Sequence, residues 1–281
     1  MAGKLQDKVA FITGASQGQG AAVARLFAEE GAKVVLTDIA DAAGERVAAE
    51  IARRGGDACY YHLDVAEEGQ WREVLGKVKK RHGALHVFIN NAGTVSRKKI
   101  ETMSASDWGR VMDVNLTGAF YGLKHCALMM RDSGGGSIVN VSSVGGLTAH
   151  YDAAYCATKW GLRGLTKTAA IEFVDWGIRV NSIHPGQISD TSFMTNAIPG
   201  HNAASRKAIP MGRQGTPQET AKLMLFLASD DASFITGAEI AIDGGYTAGG
   251  VVRMRAMLVK QYAEAEAAAE AEAKAKAGVK A

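Results

Sequence analysis

The sequence predicts an α/β fold built on one doubly wound parallel sheet of about seven strands, with helices on both faces. Short apolar runs alternate along the chain with longer segments of helical period, which is the order of strand–helix–strand units. The apolar runs are nearly continuous, as expected for strands buried on both faces. A three-layer αβα arrangement is therefore predicted, in a chain of 281 residues that one large domain can account for.

The predicted strands and helices follow one another in chain order. Strands are predicted at KVAFITG, KVVLTD, ACYYHLDV, LHVFINNAG, SIVNVSS, IRVNSIHPG and AEIAIDGG. Helices are predicted at AAVARLFAEEG and AAGERVAAEIARRG, near 67–82, from about 104 to 130, from about 153 to 176, and near 217–228. A doubly wound sheet has its switch point beside the first strand, so a ligand is expected at the carboxyl ends of the strands.

Two segments fall outside this alternation. Residues 187–215 mix turn-forming residues with apolar side chains such as Phe193 and Met194, and are predicted to form a mobile flap over a pocket. Residues 251–281 form an appended tail of high helix propensity. Residues 1–250 are then left as a single domain.

The tail is predicted to be a solvated helix. It contains Glu/Lys pairs at i,i+4 spacing, namely Glu270/Lys274 and Glu272/Lys276. Its first turns carry apolar residues at helical spacing, which offer a face for docking on the domain or on a neighbouring subunit: Val251, Met254, Leu258 and Tyr262.

The composition excludes several classes of protein. A formal net charge of +3 provides no basic face for nucleic acid, so a small-molecule partner is expected. Cys59, Cys126 and Cys156 lie far apart without metal-ligand spacing, which predicts neither a metal site nor a disulfide framework. No signal-peptide pattern and no apolar run of membrane-spanning length occurs, so we expect a cytoplasmic protein without a membrane partner.

The first predicted strand leads into the glycine loop TGASQGQG. Gly14, Gly18 and Gly20 allow a tight turn and the close approach of a pyrophosphate to a helix N-terminus. Asp38 ends the second strand, at the spacing expected for a carboxylate that binds ribose hydroxyls and repels a 2′-phosphate. An alternative role for Asp38 is to cap the next helix. The loop and the carboxylate predict a Rossmann-like domain that binds NAD (NADH) in preference to NADP.

The same loop also matches a second motif. Gly14 to Gly18 fit the G-x-S-x-G nucleophile elbow of α/β-hydrolases, with Ser16 as the nucleophile. That elbow normally follows several strands, whereas this one follows the first strand. A hydrolase is therefore the alternative from another class, and Ser16 is expected to satisfy the loop backbone.

Only one tyrosine in the segment AHYDAAYCATKWG has a lysine one helical turn further on. Tyr155 and Lys159 would share a helix face, whereas Tyr151 has another tyrosine at that spacing. An ammonium group about 5 Å away, at an effective dielectric of about 20, favours a phenolate by about 3 kcal/mol, or about two pKa units. Together with a positively charged nicotinamide ring, the lysine is predicted to bring the tyrosine pKa close enough to neutrality for proton exchange with a substrate hydroxyl. The alternative is two chance residues on a solvated helix.

The chain resembles the short-chain dehydrogenase/reductase family of the simple single-domain type. The motifs TGASQGQG, LDV, NNAG, VNVSS, YCATK, HPG and IDGG occur in that family's order, from about residue 5 to 248. The resemblance implies that residues 1–250 are a single NAD-binding catalytic domain. It also implies a homotetramer, built on the helices after the fourth and fifth strands and on the last strand.

The resemblance also implies a catalytic set. Tyr155 would be the general acid/base, Lys159 its pKa-lowering partner and a donor to the nicotinamide ribose, and Asn115 the holder of a proton-relay water. For the serine that orients the substrate, the strand alignment favours Ser143, whereas the usual serine-to-tyrosine spacing favours Ser142. Because neighbouring strand residues point to opposite faces, only one is expected to face the site, and we expect Ser143.

The implied cofactor contacts lie at the carboxyl ends of the strands. Where the family commonly has a threonine that reaches the carboxamide, this chain has Asp190, and Thr191 follows one residue later, which leaves the role of Thr191 open. The complete predicted set is Gly14, Ser16, Gln17, Gly18, Gly20, Asp38, Ile39, Asp64, Val65, Asn91, Ala92, Gly93, Tyr155, Lys159, Pro185, Gly186 and Ile188.

The predicted substrate pocket is mostly apolar, which favours a hydrophobic substrate, whether cyclic, aromatic or steroid-like. The predicted function is NAD(H)-dependent interconversion of a secondary alcohol and a ketone. One alternative is a 3-oxoacyl-acyl-carrier-protein reductase, which would normally prefer NADPH, and another is a non-catalytic NAD-binding protein, which would need a damaged catalytic set. The predicted pocket residues are Ser143, Leu147, His150, Tyr151, Phe193 and Met194.

Overall fold

The computed structural model describes residues 3–191 and 200–278 of the chain. The strands are β1 (Val9–Thr13), β2 (Lys33–Asp38), β3 (Asp57–His62), β4 (Val87–Asn90), β5 (Gly136–Val141), β6 (Ile178–Pro185) and β7 (Glu239–Ile242). The helices are α1 (Gly18–Glu29), α2 (Asp41–Arg53), α3 (Glu68–His82), α4 (Ala105–Met112), α5 (Gly118–Arg131), α6 (Ala153–Glu172), α7 (His201–Ala208), α8 (Pro217–Ala228) and α9 (Tyr246–Gly278).

Within the described residues, the strands form one seven-stranded sheet in the order β3-β2-β1-β4-β5-β6-β7. Every neighbouring pair is parallel. The first strand, β1, pairs with β2 on one side and with β4 on the other, so the winding reverses there. The predicted fold class and its switch point are confirmed.

A hydrophobic core lies on each face of the sheet. On the face covered by α3, α5 and α6, the buried rings of Phe11, Trp71 and Phe88 have centroids 5.8, 5.9 and 6.0 Å apart. On the other face, Phe27 of α1 and Met224 of α8 are fully buried. Each such side chain contributes about 1.5–3 kcal/mol to stability by its burial, which holds the strand ends in fixed positions.

The helix predicted from about 104 to 130 is interrupted by a π-helical turn. A capping box starts α4, since Ser104 Oγ accepts from the Asp107 amide and the Asp107 side chain accepts from the Ser104 amide. The chain then passes through π-helix at Asp113–Thr117 before α5 begins. Such turns often occur at functional sites, and this one contains Asn115.

The next helix, α6, begins after Asp152, whose side chain accepts from the Tyr155 amide. It was predicted to reach about residue 176 but ends at Glu172, and a 3-10 turn at Val174–Trp176 leads to Gly177. Gly177 has a φ of 68°, in the left-handed region that favours glycine, so the helix stops there.

The segment predicted as an irregular flap contains regular structure in its described part. Ile188 pairs with Gly215 in an isolated parallel bridge, and α7 follows Gly200. The turn-forming residues thus flank a short polar helix, and the role of this segment as a mobile flap over a pocket stays a prediction. Phe193 and Met194 lie outside the described residues.

The carboxyl-terminal tail is helical, and α9 carries it away from the sheet. Val251, Met254, Leu258 and Tyr262 are 73%, 36%, 43% and 67% exposed, so this face does not dock on its own domain, and docking on a neighbouring subunit stays a prediction. The helix is interrupted only where Gly249 has non-helical dihedral angles. Over residues 3–191 and 200–278, no helix is long and apolar enough to cross a membrane.

Candidate active site

The glycine loop lies tightly against the turn that follows β4. Asn91 Nδ2 donates to the main-chain oxygens of Thr13 and Gly14, at 2.9 and 3.1 Å. A Cβ on Gly20 would lie 2.0 Å from the Gly14 oxygen, and Gly14 has a φ of 64°, so both positions need glycine. The loop therefore leaves its backbone open at the N-terminus of α1.

Asp38 links the glycine loop to the end of β2. Its carboxylate accepts hydrogen bonds from the amide of Ser16, at 3.1 Å, and from the amide of Ala40, at 3.0 Å. The adjacent Ile39 side chain is 65% exposed. Asp38 thus links the glycine loop to the segment before α2; because the α2 N-cap residue is Ala40 and has no side-chain cap, the helix-capping alternative is wrong, and the ribose-binding role stays a prediction.

Buried polar atoms at the loop suit it to a polar ligand. Among the described residues, Ser16 Oγ and Gln19 Oε1 are buried and have no hydrogen-bond partner. The expectation that the Ser16 hydroxyl satisfies the loop backbone is therefore wrong, because the Ser16 amide binds Asp38 while its hydroxyl binds nothing within the described chain. An unpaired buried polar group costs about 1–3 kcal/mol. The orphan atoms, the open helix N-terminus and the Asp38 carboxylate together fit the ribose and pyrophosphate of a dinucleotide.

The other predicted cofactor residues lie at the same edge of the sheet. Asp64 follows β3, where its side chain accepts from the Ala66 amide, and the buried Val65 accepts from the Trp71 indole through its main-chain oxygen. At the end of β6, Gly186 donates to the Ile242 oxygen and approaches Asp243 so closely that a Cβ would lie 2.9 Å from Asp243 Cα. The remaining members are Gln17 and Gly18 at the start of α1, Asn91, Ala92 and Gly93 directly after β4, and Pro185 and Ile188 at and after the end of β6.

The structure gives Thr191 a definite position. Asp190 has a φ of 54°, a left-handed conformation that aspartate tolerates, and it absorbs the extra residue after the HPG motif. Thr191 Oγ1 then donates to the Ile188 oxygen at 3.1 Å, and a Cβ on Gly18 would lie 3.4 Å from Thr191 Cγ2. Thr191 therefore lies over the glycine loop.

Tyr155 and Ser143 meet at the end of β5. The Tyr155 side chain is buried and forms a hydrogen bond with the Ser143 hydroxyl, which also accepts from the Gly145 amide at 3.0 Å. The Ser142 hydroxyl instead donates to the Lys159 main-chain oxygen at 3.1 Å. The two serines thus point to opposite sides, and only Ser143 contacts the tyrosine.

Lys159 lies beneath the tyrosine ring. Its Nζ donates to the Val141 oxygen at 2.8 Å and lies 5.6 Å from the centroid of the Tyr155 ring. Burial lowers the pKa of Lys159 to about 8. Burial also raises the pKa of Tyr155 to about 12, although the Ser143 hydrogen bond acts in the opposite direction.

Burial thus raises the pKa of Tyr155 in the protein alone, and the near-neutral pKa expected beside a positively charged nicotinamide ring stays a prediction. The helical spacing of Tyr155 and Lys159 indicates an attraction between the phenolate and the ammonium. It does not indicate the cost of removing the phenolate from water, which is the largest cause of the raised pKa. In the absence of a ligand, Tyr155 is a neutral phenol that can donate a proton.

Asn115 lies close to Gly93, as the Lys159 ammonium does. Its Oδ1 accepts from the Thr94 amide at 2.7 Å, and its Nδ2 donates to the Thr94 oxygen at 2.8 Å. A Cβ on Gly93 would lie 3.4 Å from Asn115 Oδ1 and 3.8 Å from Lys159 Nζ. The side chain thus fixes the turn after β4, so a role in holding water would fall to the main chain of the π-helical turn.

Two buried residues at the site had no predicted role. Asp152 Oδ2 accepts from the amides of Ser96 and Arg97, at 2.6 and 2.7 Å, while Oδ1 accepts from the Tyr155 amide. His184 Nδ1 lies 3.0 Å from the Ser143 oxygen. An acidic N-cap residue before a helix could have indicated Asp152, but nothing in the spacing indicates which strand His184 contacts.

The residues predicted to bind substrate are only partly brought together. The His150 ring centroid lies 5.0 Å from that of Tyr155, and Leu147 is half-buried on the same loop. Tyr151 is 92% exposed and so is not enclosed in a pocket wall. Phe193 and Met194 lie outside the described residues. Among the described side chains, no group of three His, Cys, Asp or Glu residues could hold a metal ion.

Known proteins have similar sequences and the same fold. A family model described as enoyl-(acyl carrier protein) reductase matches residues 14–247. The 3-alpha-(or 20-beta)-hydroxysteroid dehydrogenase of Mycobacterium tuberculosis is 43% identical over 250 residues, which cover 89% of this chain and 93% of that protein. The trans-4-hydroxycyclohexanecarboxylate dehydrogenase of Sinomonas cyclohexanicum is 41% identical over 260 residues, covering 90% of this chain and 98% of that protein.

Two further relatives extend the comparison. The cyclohexanol dehydrogenase of an Acinetobacter species is 41% identical over 250 residues, covering 88% of this chain and 98% of that protein. The crystal structure of a short-chain type dehydrogenase/reductase from Mycobacterium marinum superposes with a TM-score of 0.80 and 37% identity, covering 86% of this chain and 96% of that chain. Nearly the whole length of each relative is thus matched by this chain.

Proposed function

The chain belongs to the short-chain dehydrogenase/reductase family, and we propose that it uses NAD(H) to interconvert a secondary alcohol and a ketone on a hydrophobic cyclic substrate. It is an oxidoreductase that acts on CH–OH groups. Family membership excludes the α/β-hydrolase alternative. The observation that carries the proposal is the meeting of Tyr155, Ser143 and Lys159 at one point beside the glycine loop.

Tyr155 and Ser143 would act on the substrate oxygen. During ketone reduction, Tyr155 donates its phenolic proton to that oxygen, while the Ser143 hydroxyl holds the oxygen in place. The raised pKa of Tyr155 keeps the proton on the phenol until a substrate arrives. During alcohol oxidation the proton moves in the opposite direction, and the Lys159 ammonium stabilises the resulting phenolate.

The residues at the strand ends would hold the cofactor. Asp38 accepts from the ribose hydroxyls, the orphan Ser16 hydroxyl finds a partner, and the α1 N-terminus binds the pyrophosphate. When bound, the nicotinamide supplies or accepts the hydride at its C4 carbon. The Asp38 carboxylate supports NAD over NADP, because it would repel a 2′-phosphate at this position.

The substrate proposal rests on the relatives and on the loop after β5. The relatives named above act on hydroxysteroids, a hydroxycyclohexanecarboxylate and cyclohexanol. Leu147 and the His150 ring lie on the loop beside Tyr155, where the ring of such a substrate would lie. The description of the family model favours a second candidate, reduction of a substrate carried by acyl carrier protein. A non-catalytic binding protein is disfavoured because Ser143, Tyr155, Lys159 and Asn115 are all present.

We also propose a cytoplasmic homotetramer. Large apolar side chains are exposed along α4, α5 and α6, where the family analogy places the subunit contacts. Cys59, Cys126 and Cys156 are free thiols, as in proteins of reducing compartments. The exposed apolar side chains on these helices are Trp108, Phe120, Leu128, Trp160 and Ile171.

A substrate panel would test this proposal. Cyclohexanol, a hydroxysteroid, their ketones and a 3-oxoacyl thioester would each be offered with NAD(H) and with NADP(H), and the absorbance of the reduced cofactor followed. Turnover of the cyclic compounds with NAD(H) is expected. Turnover of the thioester alone, or with NADP(H) alone, would favour the acyl-carrier alternative.

A further inference from the structure

Up to residue 271, the carboxyl-terminal helix contacts the domain only near its first turn. The Asp243 carboxylate accepts from the Thr247 amide and hydroxyl, and a Cβ on Gly250 would lie 2.3 Å from the Ala208 oxygen of α7. Glycine at position 250 therefore lets the start of α9 approach α7 closely. All residues from 251 to 271 are exposed, and the matching family model ends at residue 247. The exposed part of α9 is thus an addition to the family domain.

One face of this helix changes character along its length. At about 3.6 residues per turn, the apolar side chains Val251, Met254, Leu258 and Tyr262 lie within one narrow arc. The same arc continues as Ala265 and Ala269 in the second half. The face thus has large exposed apolar side chains in its first half and alanine in its second half. We call the face formed by Val251, Met254, Leu258, Tyr262, Ala265 and Ala269 the tail face.

The charges beside the tail face change sign in the same way. Arg255 lies along one edge of the face in the first half, and Glu266 and Glu270 lie along the same edge in the second half. None of the three has an ion pair that would occupy it within the described residues. The first half is therefore large and basic, and the second half is small and acidic.

We propose that the tail face binds the tail face of a second copy of this chain, with the two helices antiparallel. With the pair centred between Gln261 and Tyr262, Leu258 of one copy faces Ala265 of the other, and Met254 faces Ala269. Large side chains then fill the space left by small ones, as in a coiled-coil contact.

The charges favour the same arrangement. In an antiparallel pair, residues on the same edge of the two helices approach one another, and Arg255 lies level with the gap between Glu266 and Glu270 of the second copy. A parallel pair would leave Arg255 about 16 Å along the axis from the nearer glutamate and would place alanine against alanine. The same patch on both copies forms the contact, so the pairing closes with twofold symmetry.

Cysteine cross-linking of the full-length chain tests the pairing and its direction. Leu258→Cys and Ala265→Cys proteins would be purified separately, mixed, and oxidised mildly, because facing residues in a packed pair lie within disulfide range. The proposal predicts a strong disulfide-linked dimer in the mixture. Leu258→Cys alone is expected to link at least tenfold less, because its counterpart lies about 10 Å away along the axis.

A control variant shows whether disulfide formation depends on the position of the cysteine on the tail face. Arg253→Cys lies on the opposite side of α9 and, mixed with Ala265→Cys, is expected to link no more than the unsubstituted chain does through its native cysteines. Labelling with a monofunctional maleimide establishes that each new thiol is reactive. Equal linking by Leu258→Cys alone, linking through Arg253→Cys, or no linking in the mixture would each overturn the proposal. The experiment needs neither cofactor nor substrate, so its result is independent of the proposed function.

Discussion

The Nδ1 atom of His184 lies 3.0 Å from the main-chain oxygen of Ser143, behind the hydroxyl that contacts Tyr155. A carbonyl oxygen can only accept, so Nδ1 carries the proton and Nε2 accepts from the Ser182 hydroxyl, 3.0 Å away. Burial lowers the pKa of His184, which keeps the ring neutral and preserves this arrangement. His184 is therefore a positioning residue for Ser143.

Replacing His184 with phenylalanine is expected to lower kcat by about tenfold to a hundredfold. The change leaves the Ser143 oxygen without its donor, at a cost of about 1–3 kcal/mol, and frees the Ser143 loop to move. His184→Asn retains an N–H donor and should recover most of the loss. Steady-state kinetics would separate kcat from KM, and circular dichroism would check folding. A loss that is equal in the two variants would argue against positioning through this hydrogen bond.

The two adjacent serines are expected to behave differently. Ser143→Ala removes the hydroxyl that contacts Tyr155 and should lower kcat/KM by about a hundredfold or more. Ser142→Ala removes only the bond to the Lys159 oxygen, so it should cost about 1 kcal/mol of stability and leave kcat within a few-fold. Activity assays and urea unfolding of both variants would show this; the reverse pattern would assign the catalytic role to Ser142.

Asp38→Ala is expected to weaken the preference for NAD(H). The carboxylate makes a charge-assisted bond to the loop amide and would bind ribose, so kcat/KM with NAD(H) should fall by about ten- to a hundredfold, while that with NADP(H) falls less or rises. Asp41→Ala is the matched control, because Asp41 binds Tyr60 and His62 instead. If the ratio of kcat/KM with NAD(H) to kcat/KM with NADP(H) did not change, Asp38 would not determine the cofactor preference.

The buried Lys159 should make the cofactor-free protein more stable at alkaline pH. Its pKa is about 8 when folded, against 10.5 for an ordinary lysine, so the unfolded chain binds more protons between these values. The free energy of unfolding should therefore rise as the pH increases from about 8 to about 10.5, by up to about 3 kcal/mol.

Because other groups also titrate in this pH range, the contribution of Lys159 is obtained by comparing the unsubstituted protein with Lys159→Met. Urea unfolding would be measured for both proteins at several pH values. The variant should lack this part of the rise and should be the more stable protein at neutral pH. Parallel pH profiles for the two proteins would mean that the lysine is not held in a site that disfavours its charge.

Local patterns were enough to predict the sheet and its ligand edge. Continuous apolar strands separated by amphipathic helices leave few arrangements other than a doubly wound sheet, and Gly14, Gly20 and Asp38 indicate where phosphate and ribose would bind. The four-residue spacing of Tyr155 and Lys159 places both side chains on one helix face, and this does not depend on the rest of the fold. The family and the fold class were predictable for these reasons.

Properties that depend on distant contacts were not predictable. The contact between His184 and Ser143 joins neighbouring strands, and its existence depends on their register. The direction of the Tyr155 pKa shift depends on burial, which sequence spacing does not contain. The position of Thr191 depends on the left-handed conformation of Asp190, which pattern rules permit but do not require.

Replacing Tyr155 with phenylalanine would show whether the phenol donates the proton to the substrate oxygen. The rate of reduction of a cyclic ketone by NADH would be measured for the unsubstituted protein and for Tyr155→Phe, with NADH binding followed by fluorescence. We expect kcat to fall by about 10²–10⁴-fold while the Kd for NADH changes little, because Tyr155 supplies the proton whereas the glycine loop and Asp38 would supply most of the cofactor affinity. A variant that keeps its rate within tenfold at normal NADH affinity would contradict the assignment.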